Sequence, residues 1–342
     1  MGKYISRRLL WIIPELLLIV LVLLFLMGSI KGSPWQRVGK RAMSSVTMDE
    51  VTKRYLDKKY GLDRSFFEQY FFYVIGREVD GRFNCGLICG YMGPSLAMRG
   101  QDVADVIFGA PEGRPFFESR FFYSMRLGGY AFLLALFVGI NLGVLSAQRH
   151  NRWLDKLIRF FSTLAISVPN FIVGLMMIML LGTQLHLIQI APVTWRDASI
   201  LQWFSPVFVL SLGTMGNVIR LVRSSYLDVK DQDFVRYAHA KGLHKRLISR
   251  VHILRNSLIP LVTYSGPALI ELITGGIVIE MMFSYPGLSR TFFTSIFNRD
   301  YPLILGLVLS YALMIILSNL MVDIVNGIID PRLHVTEFLE VG

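Results

Sequence analysis

Six apolar segments, each near the length a helix needs to cross a bilayer, leave this chain few folds to choose from. They cover 9–27, 123–147, 161–183, 203–221, 258–283 and 303–329. With 53% of 342 residues hydrophobic, the chain reads as an all-α polytopic membrane protein rather than a soluble domain. Short loops carry its basic residues unevenly. Lys3, Arg7 and Arg8 precede the first segment, and Arg149, Arg152, Lys156 and Arg159 follow the second. Loop 184–202 holds only Arg196, and loop 284–302 only Arg290 and Arg299. Cytoplasmic loops collect Lys and Arg, so the expected topology is six transmembrane helices, N-in and C-in. The first segment begins like a signal peptide, but it is nearly span-length and no small-residue cleavage site follows cleanly. The initial Met1-Gly2-Lys3-Tyr4-Ile5-Ser6 fits a myristoylation pattern, and a spanning chain gains little from such an anchor.

Between the first and second segments, residues 30–121 form an expected external subdomain. Helices are expected over 47–61 and 63–75, a glycine-rich loop over 76–100 and a turn at 109–112. The formal charge of +11 would suggest nucleic acid in a soluble protein. Here the basic residues sit in loops between spans, which excludes that partner and leaves the lipid bilayer.

Little in the chain could do covalent chemistry. Val38-Gly39-Lys40-Arg41 faintly resembles a phosphate loop, but Pro34 stands where its first glycine belongs and no Ser or Thr follows the lysine. Neither a Ser/His/Asp arrangement nor an HExxH helix is present. No enzyme activity, cofactor or metal site is therefore expected. Cys85 and Cys89 are the two cysteines. Their spacing leaves a disulfide and free thiols equally open and disfavours a metal, since no His is nearby.

Irregular backbone at membrane depth survives only where protein or a watery cavity covers it. Pro169 and Asn170 in the third segment, with Pro260, Gly266, Pro267, Gly275 and Gly276 in the fifth, thus favour a translocation pathway. Asn170, Glu271 and Glu280 are its candidate residues, Glu280 facing an outer vestibule. Asp323 and Glu15 are read as boundary carboxylates, Glu15 pairing with Arg7 or Arg8 or snorkelling. Gly139-Ile140-Asn141-Leu142-Gly143 lets a second helix approach closely, more simply within the subunit than across to a partner.

The stretch 233–256 cannot cross a bilayer. Leu243, Leu247, Val251, Leu254 and Leu258 recur at helical spacing, and Gly242 breaks the pattern before them. A basic amphipathic helix–break–helix at a membrane face either lies on anionic lipid or docks a cytoplasmic partner.

Its residues carry a resemblance. Arg236-Tyr237-Ala238-His239-Ala240-Lys241-Gly242-Leu243, then Arg250-Val251-His252-Ile253-Leu254-Arg255-Asn256, resembles the cytoplasmic signature loop of ABC importer permeases of the oligopeptide/dipeptide/nickel group. Similar matches run along the chain: Tyr60-Gly61-Leu62-Asp63-Arg64, Gly93-Pro94-Ser95, Trp153-Leu154-Asp155, Ser167-Val168-Pro169-Asn170-Phe171, Phe283-Ser284-Tyr285-Pro286-Gly287-Leu288, Arg299-Asp300-Tyr301-Pro302 and Asp330-Pro331-Arg332. The departures are Lys31-Gly32-Ser33-Pro34 in place of P-G-D-P, extra external residues around Cys85–Cys89 and Gly109–Phe117, and Arg236-Tyr237-Ala238 in place of Glu-Ala-Ala.

The resemblance implies a type I ABC importer transmembrane fold and a subunit that binds no ATP. Its partners would be a second permease subunit, two cytoplasmic ATP-binding subunits and an external solute-binding protein. Arg236, Ala238, Ala240, Lys241, Gly242, Leu243, Arg250, Arg255 and Asn256 would form the ATPase-coupling loop. Gly242 would permit the turn, and Ala238 and Ala240 would allow close approach to the ATPase. The chain then divides into an N-terminal span (1–29), the external subdomain (30–121), the permease core (122–330, with coupling loop 223–257) and a tail (331–342). An ion-coupled secondary transporter is the alternative. It would need related halves and coupling groups at the midplane, and no internal repeat is visible.

Overall fold

The computed structural model describes residues 2–29, 54, 63–79, 82–98, 101–110, 115–188 and 199–329. The expected helix over 47–61 lies outside them except for Arg54, as do Lys31–Pro34, Val38–Arg41 and the tail, while the 109–112 turn is described only in part. In chain order the elements are α1 (Gly2–Ser29), α2 (Phe66–Val74), β1 (Gly76–Val79), β2 (Arg82–Cys85), α3 (Val103–Phe108), α4 (Arg120–Gln148), α5 (Trp153–Ser167), α6 (Asn170–Met177), α7 (Ile200–Lys230), α8 (Asp233–Ala240), α9 (Lys245–Leu247), α10 (Arg255–Ser257), α11 (Ile259–Met282), α12 (Ser289–Asn298) and α13 (Tyr301–Ile329). Five described helices are long and apolar enough to cross a membrane, and a sixth span follows if the bent pair Trp153–Ser167 and Asn170–Gln184, α6 with its π-helical continuation, counts as one.

The chain divides into two compact units. In the first, formed by residues 1–123 and 287–314, Val20 of α1, Val74 of α2 and Leu309 of α13 share a core with Tyr70, Tyr73 and Leu87. The stretch expected as a glycine-rich loop contains an antiparallel hairpin, with Gly76 opposite Cys85. Cys85 and Cys89 are joined by a disulfide across a Cα–Cα distance of 5.7 Å.

The second unit takes in residues 124–286 and 315–342. Here α4 and α7 meet through the small-residue pattern. A Cβ on Gly139 would lie 2.7 Å from Val218 Cγ1, and one on Gly143 would lie 2.9 Å from Val222 Cβ. This close approach is made within the subunit.

The third span is not straight. Its two halves meet at 99°, because Pro169 lacks an N–H and pushes the preceding Val168 to an extended conformation (φ −89°, ψ 123°). By contrast α11 runs unbroken from Ile259 to Met282 with Pro267 inside it, so the fifth span has no break at its midpoint.

Gly139→Leu should therefore prevent α4 from seating on α7. Far less folded protein should reach the membrane, read by detergent-extracted yield and thermal stability, whereas Leu at the exposed Phe137 of the same helix should leave both unchanged.

Candidate functional site

The candidate site is the basic helix–turn–helix that follows α7. In α8, Val235 and Ala238 are buried, while Tyr237 is 71% and Phe234 38% exposed. The helix ends as a Schellman motif: Gly242 N–H donates to His239 O at 2.9 Å and Leu243 N–H to Ala238 O at 3.3 Å. This closure needs a left-handed residue, and Gly242 has φ +74°. Leu243 completes the motif by packing on a core of Ala147, Tyr226, Val229, Val235, Ala238, Ile248 and Ile253.

Past the turn, the expected helical stripe is not the buried one. Leu247 and Val251 are 47% and 49% exposed. The reason is winding: Ile248–Leu254 is π-helical, so its period lengthens toward five residues and brings Ile248 and Ile253 to the same face. Both are buried. Of the residues assigned to the coupling loop, Arg236, Ala240, Lys241, Gly242, Arg250 and Arg255 are exposed. Asn256 is half-buried and its amide donates to His252 O at 2.8 Å. Arg236 reaches Asp233 at 3.4 Å in an exposed pair, which contributes little. Ala238 lies against the chain's own core.

Two hydrogen bonds fix the loop to the spans: Tyr226 Oη lies 2.7 Å from Ser249 Oγ, and Gln148 Nε2 donates to the same hydroxyl at 3.1 Å. Beside this anchor is a network that sequence reasoning did not assign. Asp155 has no exposed side-chain surface. Its two oxygens take both arms of Arg223, Nε at 2.8 Å and Nη2 at 2.9 Å. Ser146 Oγ donates to it at 2.5 Å and the Asn151 amide at 2.9 Å. One carboxylate thus ties the end of α4, the α4–α5 turn, α5 and α7. Asp155 falls in the Trp153-Leu154-Asp155 match, and Arg223 is the first residue of the expected coupling loop 223–257. Nothing in the sequence indicates that Arg223 is its partner.

The pathway candidates are placed unevenly. Asn170 opens α6 beyond the bend, its amide 3.5 Å from Leu210 O of α7. Glu271 is exposed, whereas Glu280 is only 3% exposed, so Glu280 is enclosed rather than open to an outer vestibule.

Residues 139–335 match the family model of the binding-protein-dependent transport system inner membrane component. The chain belongs to that family. The similarity to individual permeases is nearly end to end. The chain is 35% identical to the dipeptide transport system permease protein DppB of Lactococcus lactis subsp. cremoris, over 98% of this chain and 100% of the relative. It is 32% identical to the oligopeptide transport system permease protein OppB of Haemophilus influenzae, over the same shares. Among solved structures, an inward-facing form of the MetNI methionine ABC transporter matches 62% of this chain and 94% of its own, at 17% identity and a TM-score of 0.48. As a family member the chain is a multi-pass inner-membrane permease of an ABC importer that works with other components of its system. It is not the ATPase, and ion-coupled secondary transport is not its class.

If Asp155 and Arg223 hold this end of the permease together, removing Asp155 leaves Arg223 without its counter-charge, and removing Arg223 leaves the buried carboxylate only the longer contact of the half-exposed Arg159 at 3.7 Å. Asp155→Ala or Arg223→Ala should each cost roughly 3–5 kcal/mol, seen as a lower unfolding temperature of the detergent-solubilised protein. Asp155→Leu combined with Arg223→Met should recover most of the loss.

Proposed function

We propose that this permease forms half of a peptide-conducting pathway and takes its energy through α8 and the Gly242 turn, on which a cytoplasmic ATP-binding subunit docks. The observation that carries the reading is the division of α8 into two faces. Val235 and Ala238 fix the helix to the core, while Phe234 and Tyr237 present aromatic surface outward, the residue types that anchor interfaces. Ala240, exposed on the same short helix, keeps the rim of that face low. The basic loops around it support a cytoplasmic placement.

The finer partner set follows from the same reading: a second permease subunit, two ATP-binding subunits and an external solute-binding protein. The peptide cargo is supported by dipeptide and oligopeptide permeases among the relatives. Closure of the ATP-binding subunits would displace α8. Through Tyr226, Gln148 and Ser249 the displacement would reach α4 and α7, shifting the inward-open and outward-open populations by the difference in docking free energy between the two states.

Two measurements test this. In vesicles carrying the assembled transporter, peptide uptake should require ATP and survive a proton uncoupler; uptake that survives ATP depletion and collapses with the gradient overturns the reading. Tyr237→Ala and Gly242→Asp should leave the permease in the membrane but strip the ATP-binding subunits from it on co-purification. Gly242→Asn, which tolerates positive φ without adding charge, should retain more of both association and uptake than Gly242→Asp.

A further inference from the structure

The external helix α2 is packed like a membrane element. It runs along α1, with Phe66 edge-on to Phe25 at 6.1 Å, Tyr70 Oη donating to Leu17 O at 3.4 Å, and Val74 in one core with Val20 and Leu309. Two spans serve as rulers for its depth. Val20 is nine residues from the outer end of α1 at Ser29, about 13 Å at 1.5 Å per residue. Leu309 is eight residues from the outer end of α13 at Tyr301, about 12 Å. Both helices are about 42 Å long at that rise, against a hydrocarbon core of about 30 Å. Even with the excess shared equally between the two faces, Val74 lies roughly 6 Å inside the hydrocarbon. Lys3, Arg7 and Arg8 stand at the inner end of α1, which moves the excess toward the cytoplasm and Val74 deeper.

The residues of α2 are distributed to suit that depth. Its charged groups are at the entry: Ser65 and Glu68 form a capping box, and the Ser65 amide and hydroxyl hold the Glu68 carboxyl below the usual carboxylate range. From Gln69 to Ile75 there is no charged residue. Phe67, Phe71 and Ile75, spaced four apart on one face, are 66%, 54% and 49% exposed. An aromatic and aliphatic stripe of this kind in water would be an aggregation liability. It lies alongside α1, whose 18-residue apolar window is only 6% buried and whose Leu18, Val22 and Phe25 are likewise exposed.

We propose that α2 is a short re-entrant helix sunk into the outer leaflet, with Phe67, Phe71 and Ile75 packed by phospholipid acyl chains as a continuation of the lipid-facing surface of α1. At Gly76 (φ +111°) the helix gives way to the β1–β2 hairpin, whose first strand carries Arg77 and Glu78, and Gly86 N–H closes onto Ile75 O at 3.0 Å. The segment expected as a soluble external helix thereby becomes a lipid anchor. The inference rests on the N-in orientation, and the test separates failure of the two.

The assembled transporter, in nanodiscs whose phospholipid carries a diazirine midway along one acyl chain, is photolysed and its adducts are mapped. Residues 66–75 should be labelled within a few-fold of the yield on Leu18, Val22 and Phe25 of α1. Labelling of α1 with none on 66–75 overturns the proposal while leaving the span intact.

Nitroxides at Phe67→Cys, Phe71→Cys and Ile75→Cys give a second reading, since the bonded Cys85 and Cys89 do not react. The ratio of oxygen to nickel-chelate collisions should rise several-fold from residue 67 to residue 75. High nickel access at residue 75 would mean water there, and low access to both reagents would mean a protein cover; either overturns the proposal. A rise in the opposite order would indicate an inverted orientation and overturn the topology as well.

Discussion

Both oxygens of Asp155 are enclosed, and donors from three other parts of the larger unit converge on them. An unpaired carboxylate there would cost several kcal/mol, and its burial is compensated by the two-armed Arg223 contact, the Ser146 hydroxyl and the Asn151 amide, with Arg159 further off at 3.7 Å. Such an arrangement is specific more than it is strong: a small rotation of α5 against α7 would break the parallel geometry. It makes α4, the α4–α5 turn, α5 and α7 settle in one register. The glycine contacts between α4 and α7 then have a fixed partner face, Val218 and Val222, to close upon.

That register matters because the basic helix–turn–helix hangs from the same elements. Ser249 is held from α7 by Tyr226 and from the end of α4 by Gln148, and the core beneath α8 draws on Ala147, Tyr226 and Val229. A push on α8 therefore acts on helices that Asp155 already binds together. A loosely tethered loop would absorb the displacement in its own backbone torsions; one with a packed core and a Schellman closure passes it on. The division of labour on α8 follows. Its small residue Ala238 serves inward, making room for the core, and its large exposed aromatics serve outward.

Much of this was legible in advance because the constraints concerned are local. Apolar length alone locates the spans, since lipid leaves the backbone no alternative partner, and Gly242 marks the turn because a left-handed residue closes it. Pro169 announces the break in the third span for the same reason, although no local rule states that the halves will diverge by 99°. The rest depended on contacts between distant residues or on a change of winding. Arg223 lies 68 positions from Asp155, and a single sequence contains no sign of their pairing. The stripe of Leu243, Leu247, Val251, Leu254 and Leu258 assumed 3.6 residues per turn. The π segment moved the buried face to Ile248 and Ile253, and left two of those apolar side chains half-exposed. Ala238 and Ala240 look equivalent in sequence, and only packing assigns one inward and the other outward.

A second buried carboxylate shows that charge can be accommodated here without a guanidinium. Asp300 is fully buried and immediately precedes α13. It accepts from the Ser95 hydroxyl at 2.5 Å, the Ala97 amide at 3.0 Å and, through its other oxygen, the Leu303 amide at 3.3 Å. The last donor belongs to the first turn of its own helix, where free N–H groups and the helix dipole favour a negative charge. Two motifs far apart in the sequence, Gly93-Pro94-Ser95 and Arg299-Asp300-Tyr301-Pro302, are thus one joint. The contrast with Asp155 is physical. At a helix N-terminus the backbone itself supplies the compensating partial charge, so a hydroxyl and two amides suffice. Asp155 has its own helix's first turn nearby but must also bridge to α7, 68 residues on, and only a long, two-armed cation such as Arg223 spans that gap while satisfying both oxygens.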